Sequence, residues 1–211
     1  MEKLDLRKEF KHLYAPSAKQ AELVKVRKLN FVMMDGKIEP GASPDTSQEL
    51  QEAMQALYGV SYTLKFMSKQ RKTNPMDYTV MALEGLWWVE AGEFSFDKKD
   101  NWCWTLMMMQ PKHVTAKMVQ ETLQKLKEKS DSPALAKPEF KSFQEGLCVQ
   151  IMHIGPYSEE PRSLERMQAL ADERGYVYRG KHHEIYMGDP RRAKPDKLKT
   201  ILRHPVERVN R

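Results

Sequence analysis

Glu184 stands alone among apolar and aromatic neighbours in the run His182-His183-Glu184-Ile185-Tyr186-Met187. The run has β character, and residues two apart on a strand share a face. Glu184 and Tyr186 therefore point one way, and Ile185 and Met187 the other. If the Glu184 face lines a cavity, its carboxylate is a buried charge suited to a cationic or proton-donating ligand. The competing reading is an ion pair with Arg179, Lys181 or Arg203.

A second concentration of chemistry is aromatic. Trp87, Trp88, Trp102 and Trp104 lie close together, followed by Met107, Met108 and Met109, in a chain with 14 Met, 4 Trp and 8 Tyr. Aromatic faces bind flat or cationic ligands, and Met adapts to irregular surfaces. Core packing is the competing reading for most of these residues. Alternation places one of Trp87 and Trp88 toward a groove without saying which.

Other chemistries find less support. His153, His182, His183 and His204 suggest a metal, but alternation puts His182 with Glu184 and His183 on the opposite face. No His, Cys or carboxylate spacing matches a zinc site, so no metal is expected. Ser158, Cys103 and Cys148 lack suitable neighbours for nucleophilic catalysis. No Gly-rich phosphate loop is present, which argues against a nucleotide cofactor, and no cofactor is expected.

Composition narrows the class. The 211 residues carry 35 Lys plus Arg against 29 Asp plus Glu, a net charge of +6. The basic residues from Arg179 to Arg203 are interrupted by Glu184, Asp189 and Asp196, so direct nucleic-acid binding is not expected. Two cysteines make no disulfide framework. Met1 to Phe10 has no apolar signal core, and no run reaches the length of a membrane span. The expectation is a cytoplasmic protein with no membrane partner, a monomer or homodimer.

The elements that must position Glu184 read as follows. Residues 1–20 are a polar arm, loosely packed. Leu23 to Met34 is a strand closed by the turn Asp35-Gly36. Thr46 and Glu49 form a capping box for a helix with Leu50, Met54, Leu57 and Tyr58 on one face, continuing through Tyr62 and Phe66. Tyr78 to Glu90 and Trp102 to Gln110 are strands joined by a turn at Asp97 to Asn101. Thr115 caps a helix over Ala116 to Lys129, and Lys129 to Pro138 is a linker. Leu147 to Ile154 is a strand, Pro161 to Arg174 a helix stopped by Gly175, and His182 to Met187 and Lys199 to His204 are strands. Both halves run strand, helix, strand, strand. Their helices share the tetrapeptide Met-Gln-Ala-Leu at 54–57 and 167–170, and the last strands end at Pro111 and Pro205. This pattern predicts an α+β fold of duplicated βαββ repeats, with antiparallel sheets forming a central ligand groove. The expected boundaries are 1–20 for the arm, 21–136 for the first repeat with an extra helix, and 137–211 for the second.

Three segments carry a family resemblance. Val149-Gln150-Ile151-Met152-His153-Ile154-Gly155-Pro156-Tyr157 resembles the opening of the second repeat in GyrI-like small-molecule-binding domains. Glu184-Ile185-Tyr186-Met187-Gly188-Asp189-Pro190 and Arg203-His204-Pro205-Val206 are similar to that family's later motifs. The likeness spans roughly residues 20 to 206 and is strongest in the second half. It implies an aromatic-lined groove for planar hydrophobic, often cationic, small molecules, with the family's central acid at Glu184 and its neighbouring aromatic at Tyr186. A stand-alone branch of the family hydrolyses the cyclopropane of DNA-alkylating natural products. On that pattern Glu184 is the base, Tyr186 or Tyr157 orients water or donates to the developing phenolate, and Trp87, Trp88, Trp102, Trp104, Tyr62, Met107 and His153 contact the ligand. The first 30 residues are too few for a helix-turn-helix, which counts against a transcription regulator. The alternatives are a non-catalytic drug-binding or sequestering protein and a gyrase-modulating interaction protein.

Overall fold

The computed structural model describes residues 3–209 except 93, 96–98, 100 and 189–191. In chain order the elements are β1 (Lys3–Leu4), α1 (Leu6–Glu9), α2 (Lys11–Tyr14), β2 (Glu22–Val26), β3 (Leu29–Lys37), α3 (Gln48–Lys69), β4 (Asp77–Tyr78) and β5 (Leu83–Trp88). Then come β6 (Cys103–Gln110), α4 (Ala116–Lys127), β7 (Glu139–Phe143), β8 (Gly146–Ile154), α5 (Pro161–Glu173), β9 (Tyr176–Tyr178), β10 (His182–Tyr186) and β11 (Lys199–Arg208). The fold is α+β with antiparallel pairing throughout the main strands, as expected, while the short β1 and β4 pair in parallel. It forms two compact units: one holds the chain up to Leu6 and Leu29–Phe143, the other Arg7–Lys28 and Gln144–Arg211.

The α3 unit carries the sheet order β5-β6-β3-β7. Residues of β6 at even numbers face α3, because the Ser61 hydroxyl lies 3.4 Å from Met108 Sδ and the Gln110 amide donates to Ser61 Oγ at 3.1 Å. Helix α3 buries Leu50, Ala53, Leu57, Val60 and Leu64. Each large aliphatic side chain of that stripe stabilises by about 1.5–3 kcal/mol. Tyr58, expected inward, is exposed. The helix cap also differs from the expected Thr46: Ser47 Oγ accepts from Leu50 N at 3.1 Å, while Thr46 Oγ1 accepts from Ser43 N. Thr115 caps α4 as expected.

The strand expected over 23–34 is two strands. Arg27 and Lys28 interrupt it, β2 pairs with β8, and β3 pairs with β6 and β7. Strand β3 also runs through Asp35-Gly36 instead of turning there. The reason is packing: a Cβ on Gly36 would lie 2.1 Å from Cζ2 of Trp104, so only glycine lets the indole cross the strand. Asp35 accepts from the Thr105 hydroxyl at 2.5 Å, which satisfies the carboxylate within the sheet. The turn expected at 97–101 lies largely outside the described residues.

The α5 unit carries the order β2-β8-β11-β10, with β9 pairing the far end of β11 beyond Pro205. Helix α5 buries Met167 and Ala171 against Val149, Ile151, Leu202 and Val206. Gly175, at φ +70°, ends it. The first twenty residues are not a loose arm: Leu13 and Tyr14 are buried. The Leu13 carbonyl accepts from Arg203 at 2.7 Å, and the His12 carbonyl accepts from Gln150 at 2.8 Å.

Candidate functional site

The register of the α5 unit fixes what Glu184 sees. Glu184 pairs across β11 with Leu202, which pairs with Ile151 of β8, and both partners belong to the core under α5. Tyr186 pairs with Thr200, and Thr200 with His153. Glu184, Tyr186, His182 and His153 therefore share the face that α5 covers. The helix packs chiefly on β8, β9 and β11, so the Glu184 end of that face lies beside the helix.

Glu184 is 7% exposed. Tyr186 donates its hydroxyl to Glu184 Oε2 at 2.8 Å, and His182 Nε2 lies 3.3 Å from Oε1. Tyr157 meets Tyr186 edge to face with ring centroids 6.3 Å apart. The His204 ring is 5.9 Å from His182 and stacks flat on Tyr178 at 4.2 Å. Burial, and then the neighbouring His182, push His204 down to about 4, so it is neutral near pH 7.

Two of the three cations weighed as partners of Glu184, Arg203 and Arg179, are engaged at Glu145. Arg203 lies on the opposite face with His183, and both converge on Glu145. His183 Nδ1 is 3.0 Å from Glu145 Oε1, and Arg179 donates to the Glu145 carbonyl at 2.7 Å. Burial pushes the Glu145 pKa up, but His183 and Arg203 outweigh it and hold the carboxyl near 2. Glu145 completes a structural charge cluster.

The other expected residues are placed as follows. His153 is buried between Ser163 of α5 at 3.0 Å and the Pro156 carbonyl at 3.1 Å. The carbonyl can only accept, so Nε2 carries the proton and Nδ1 accepts from Ser163. His153 thereby pins the Gly155-Pro156 turn that presents Tyr157. In the α3 unit, Trp87 pairs across the strands with Trp104 on the α3 face, and Trp102 joins it at 5.3 Å. Trp88 and Met107 lie on the opposite face, Met107 buried and Trp88 partly open. Tyr62 is 49% exposed on α3 and stacks on Tyr58, apart from the tryptophans.

One residue escaped the sequence reading. Glu84, 1% exposed, sits opposite Met107 on the same face as Trp88. Its signal is the one that marked Glu184: a lone carboxylate inside an apolar run, here Leu83-Glu84-Gly85-Leu86-Trp87. Among the described residues no group of three or more His, Cys, Asp and Glu is arranged to hold a metal ion. No helix among them is long and apolar enough to cross a membrane. Asp189 and Pro190 lie outside the described residues.

Comparison with solved structures finds close likenesses. An uncharacterized conserved protein from Listeria innocua is 38% identical, with 97% of this chain and 100% of that chain covered and a TM-score of 0.89. A protein described as a hydrolase from Listeria innocua is also 38% identical, with 97% and 100% covered and a TM-score of 0.82. The EcmrR C-terminal domain shares the fold at 12% identity and a TM-score of 0.54, with 90% and 98% covered. Comparison with curated proteins gives no match. Residues 20–207 match the GyrI-like small molecule binding domain, and the chain belongs to that family.

Proposed function

We propose that this protein binds planar aromatic small molecules and hydrolyses the cyclopropane ring of cyclopropanoid DNA-alkylating compounds, with Glu184 as general base. The observation that carries the reading is the carboxylate itself. It is nearly buried and held at one oxygen by Tyr186 and approached at the other by His182, while Arg203 and Arg179 are turned to Glu145. Two structures 38% identical to this chain are described as hydrolases, which supports the same class.

The reaction follows from the groups present. Water attacks the ring CH2, the strained C–C bond breaks, and its electron pair flows into the conjugated dienone to give a phenolate. Glu184 takes the proton lost by the water, and the phenolate takes up a proton to give the phenol. Base assistance of this kind is worth about 10²–10⁴-fold in rate. Tyr186 directs its proton at Glu184, so the donor to the developing phenolate is Tyr157, half-buried beside it. Among the tryptophans, Trp88 is the one open enough for ligand contact.

A carboxylate flanked by aromatic rings also suits a lipophilic cation, which is the binding-only alternative. Incubation with a duocarmycin-type cyclopropanoid, read by mass spectrometry, separates the two. The expected result is gain of one water at substoichiometric protein, slowed about 10²–10⁴-fold in Glu184→Gln. Unchanged substrate mass together with saturable binding of tetraphenylphosphonium would leave a binding protein.

A further inference from the structure

We infer that His182 is a positioning residue for Glu184: it and Tyr186 clamp the carboxylate from its two oxygens, and a column of rings holds His182 in place. The inference rests on the reading of Glu184 as the working carboxylate of this site.

His182 and Glu184 are two apart on β10, so both side chains leave the same face of the strand. Tyr186 reaches Oε2 at 2.8 Å and His182 Nε2 stands 3.3 Å from Oε1. Contacts to separate oxygens oppose rotation of the carboxylate plane, a torsion that is otherwise broad and soft. The contact of His182 Nε2 with Oε1 is not a hydrogen bond in this arrangement but electrostatic, and a proton on Nε2 rather than a lone pair makes that contact attractive.

Behind His182 the rings continue. His204 lies 5.9 Å away, tilted by 44°, and stacks on Tyr178 with an interplanar angle of 8°. His204 Nδ1 faces the Pro205 carbonyl at 3.2 Å, so that nitrogen donates and the tautomer is fixed. Burial keeps His204 neutral, so the column orients His182 without adding a positive charge of its own near Glu184. Catalytic groups tolerate little misplacement, and an error of about 1 Å costs on the order of 10²-fold.

The test uses His182→Phe, which keeps a ring and loses the donor, and His182→Gln, whose side-chain amide can return an N–H toward the place of Nε2. With the cyclopropanoid as substrate, His182→Phe is expected to lower kcat about 10- to 100-fold with KM nearly unchanged, and His182→Gln to recover most of it. Nitrogen-15 NMR of the wild-type imidazoles is expected to give the Nε2–H form for His182 and the Nδ1–H form for His204. If Glu184→Gln abolishes turnover while His182→Phe retains it, the positioning inference fails and the function stands. Equal loss in His182→Phe and His182→Gln would reduce His182 to packing and overturn the inference. If Glu184→Gln turns over normally, the proposed function fails instead. The NMR then decides the clamp, which a His182 proton on Nδ1 alone would overturn.

Discussion

In the α3 unit, the helix-covered face of the sheet is filled mainly by Leu83, Trp87, Trp104, Leu106 and Met108, with Gln110 bonded to Ser61 at its end. In the α5 unit, the matching face carries His153, His182, Glu184 and Tyr186 beside Val149, Ile151 and Leu202. The element order is the same, and so is the reason for it: each sheet must bury one face under a helix. The difference lies in how far the helix reaches. Where α5 covers β8 and β11 most residues are aliphatic, with His153 bonded to Ser163 of the helix; at β10 beside it they are polar. A repeated fold therefore fixes where a buried face exists, and individual side chains decide whether that face is core or site.

The two lone carboxylates give the sharpest way to break this comparison. Glu184→Gln should slow cyclopropanoid hydrolysis about 10²–10⁴-fold, while Glu84→Gln, on the face of the α3 unit turned away from the helix, should stay within about tenfold of wild type. Equal losses in both variants would mean that the units share the chemistry.

The next effect is on stability. Glu145→Ala leaves Arg203 buried beside His183 without its carboxylate. Urea unfolding should show a loss of about 3–5 kcal/mol, as for one partner removed from a buried charge cluster. A loss below about 1 kcal/mol would show that the polar face of the α5 unit contributes little to holding the N-terminal segment.

Gly36→Ala sharpens the other side of the comparison. The new methyl would meet the Trp104 indole, so the α3 unit should lose about 1–3 kcal/mol by overpacking. Hydrolysis by the folded variant should be unaffected, and a large drop in kcat at unchanged stability would contradict the division of labour.

The last effect is in pH. His204 titrates near 4 in the folded chain and near 6.5 when unfolded. Between those values the unfolded chain holds a proton that the folded chain lacks, so stability falls as pH drops from 6.5 to 4. Glu145 adds a second loss between 4.5 and about 2, as its depressed carboxyl is protonated. Urea midpoints measured across pH should show both windows, and His204→Asn should flatten the first, leaving the smaller share that buried His153 and His113 contribute in the same direction.

How much was legible beforehand differs from residue to residue. The alternation that paired Glu184 with Tyr186 and set His182 apart from His183 held, because a strand's period of two leaves no freedom. The shared Met-Gln-Ala-Leu was a weaker guide than it looked. In α3 it turns Ala56 and Leu57 to the core, but in α5 it turns Met167 there. The same tetrapeptide is rotated on its helix, so the repeat is one of element order rather than of matched residues. Tyr58 was misjudged for the same reason: a helical stripe can be drawn through several residues, and only packing selects one.

The sequence by itself determined the period of each element, the lone carboxylate at Glu184 with Tyr186 on its face, and the motifs that place the chain in its family. Only the tertiary structure decided that Arg203 answers Glu145 instead of Glu184, that His153 pins a turn, and that β3 passes through Gly36 beneath an indole. Those outcomes depend on which strands become neighbours, and pairing between distant segments is set by the burial of whole faces rather than by any local run of residues.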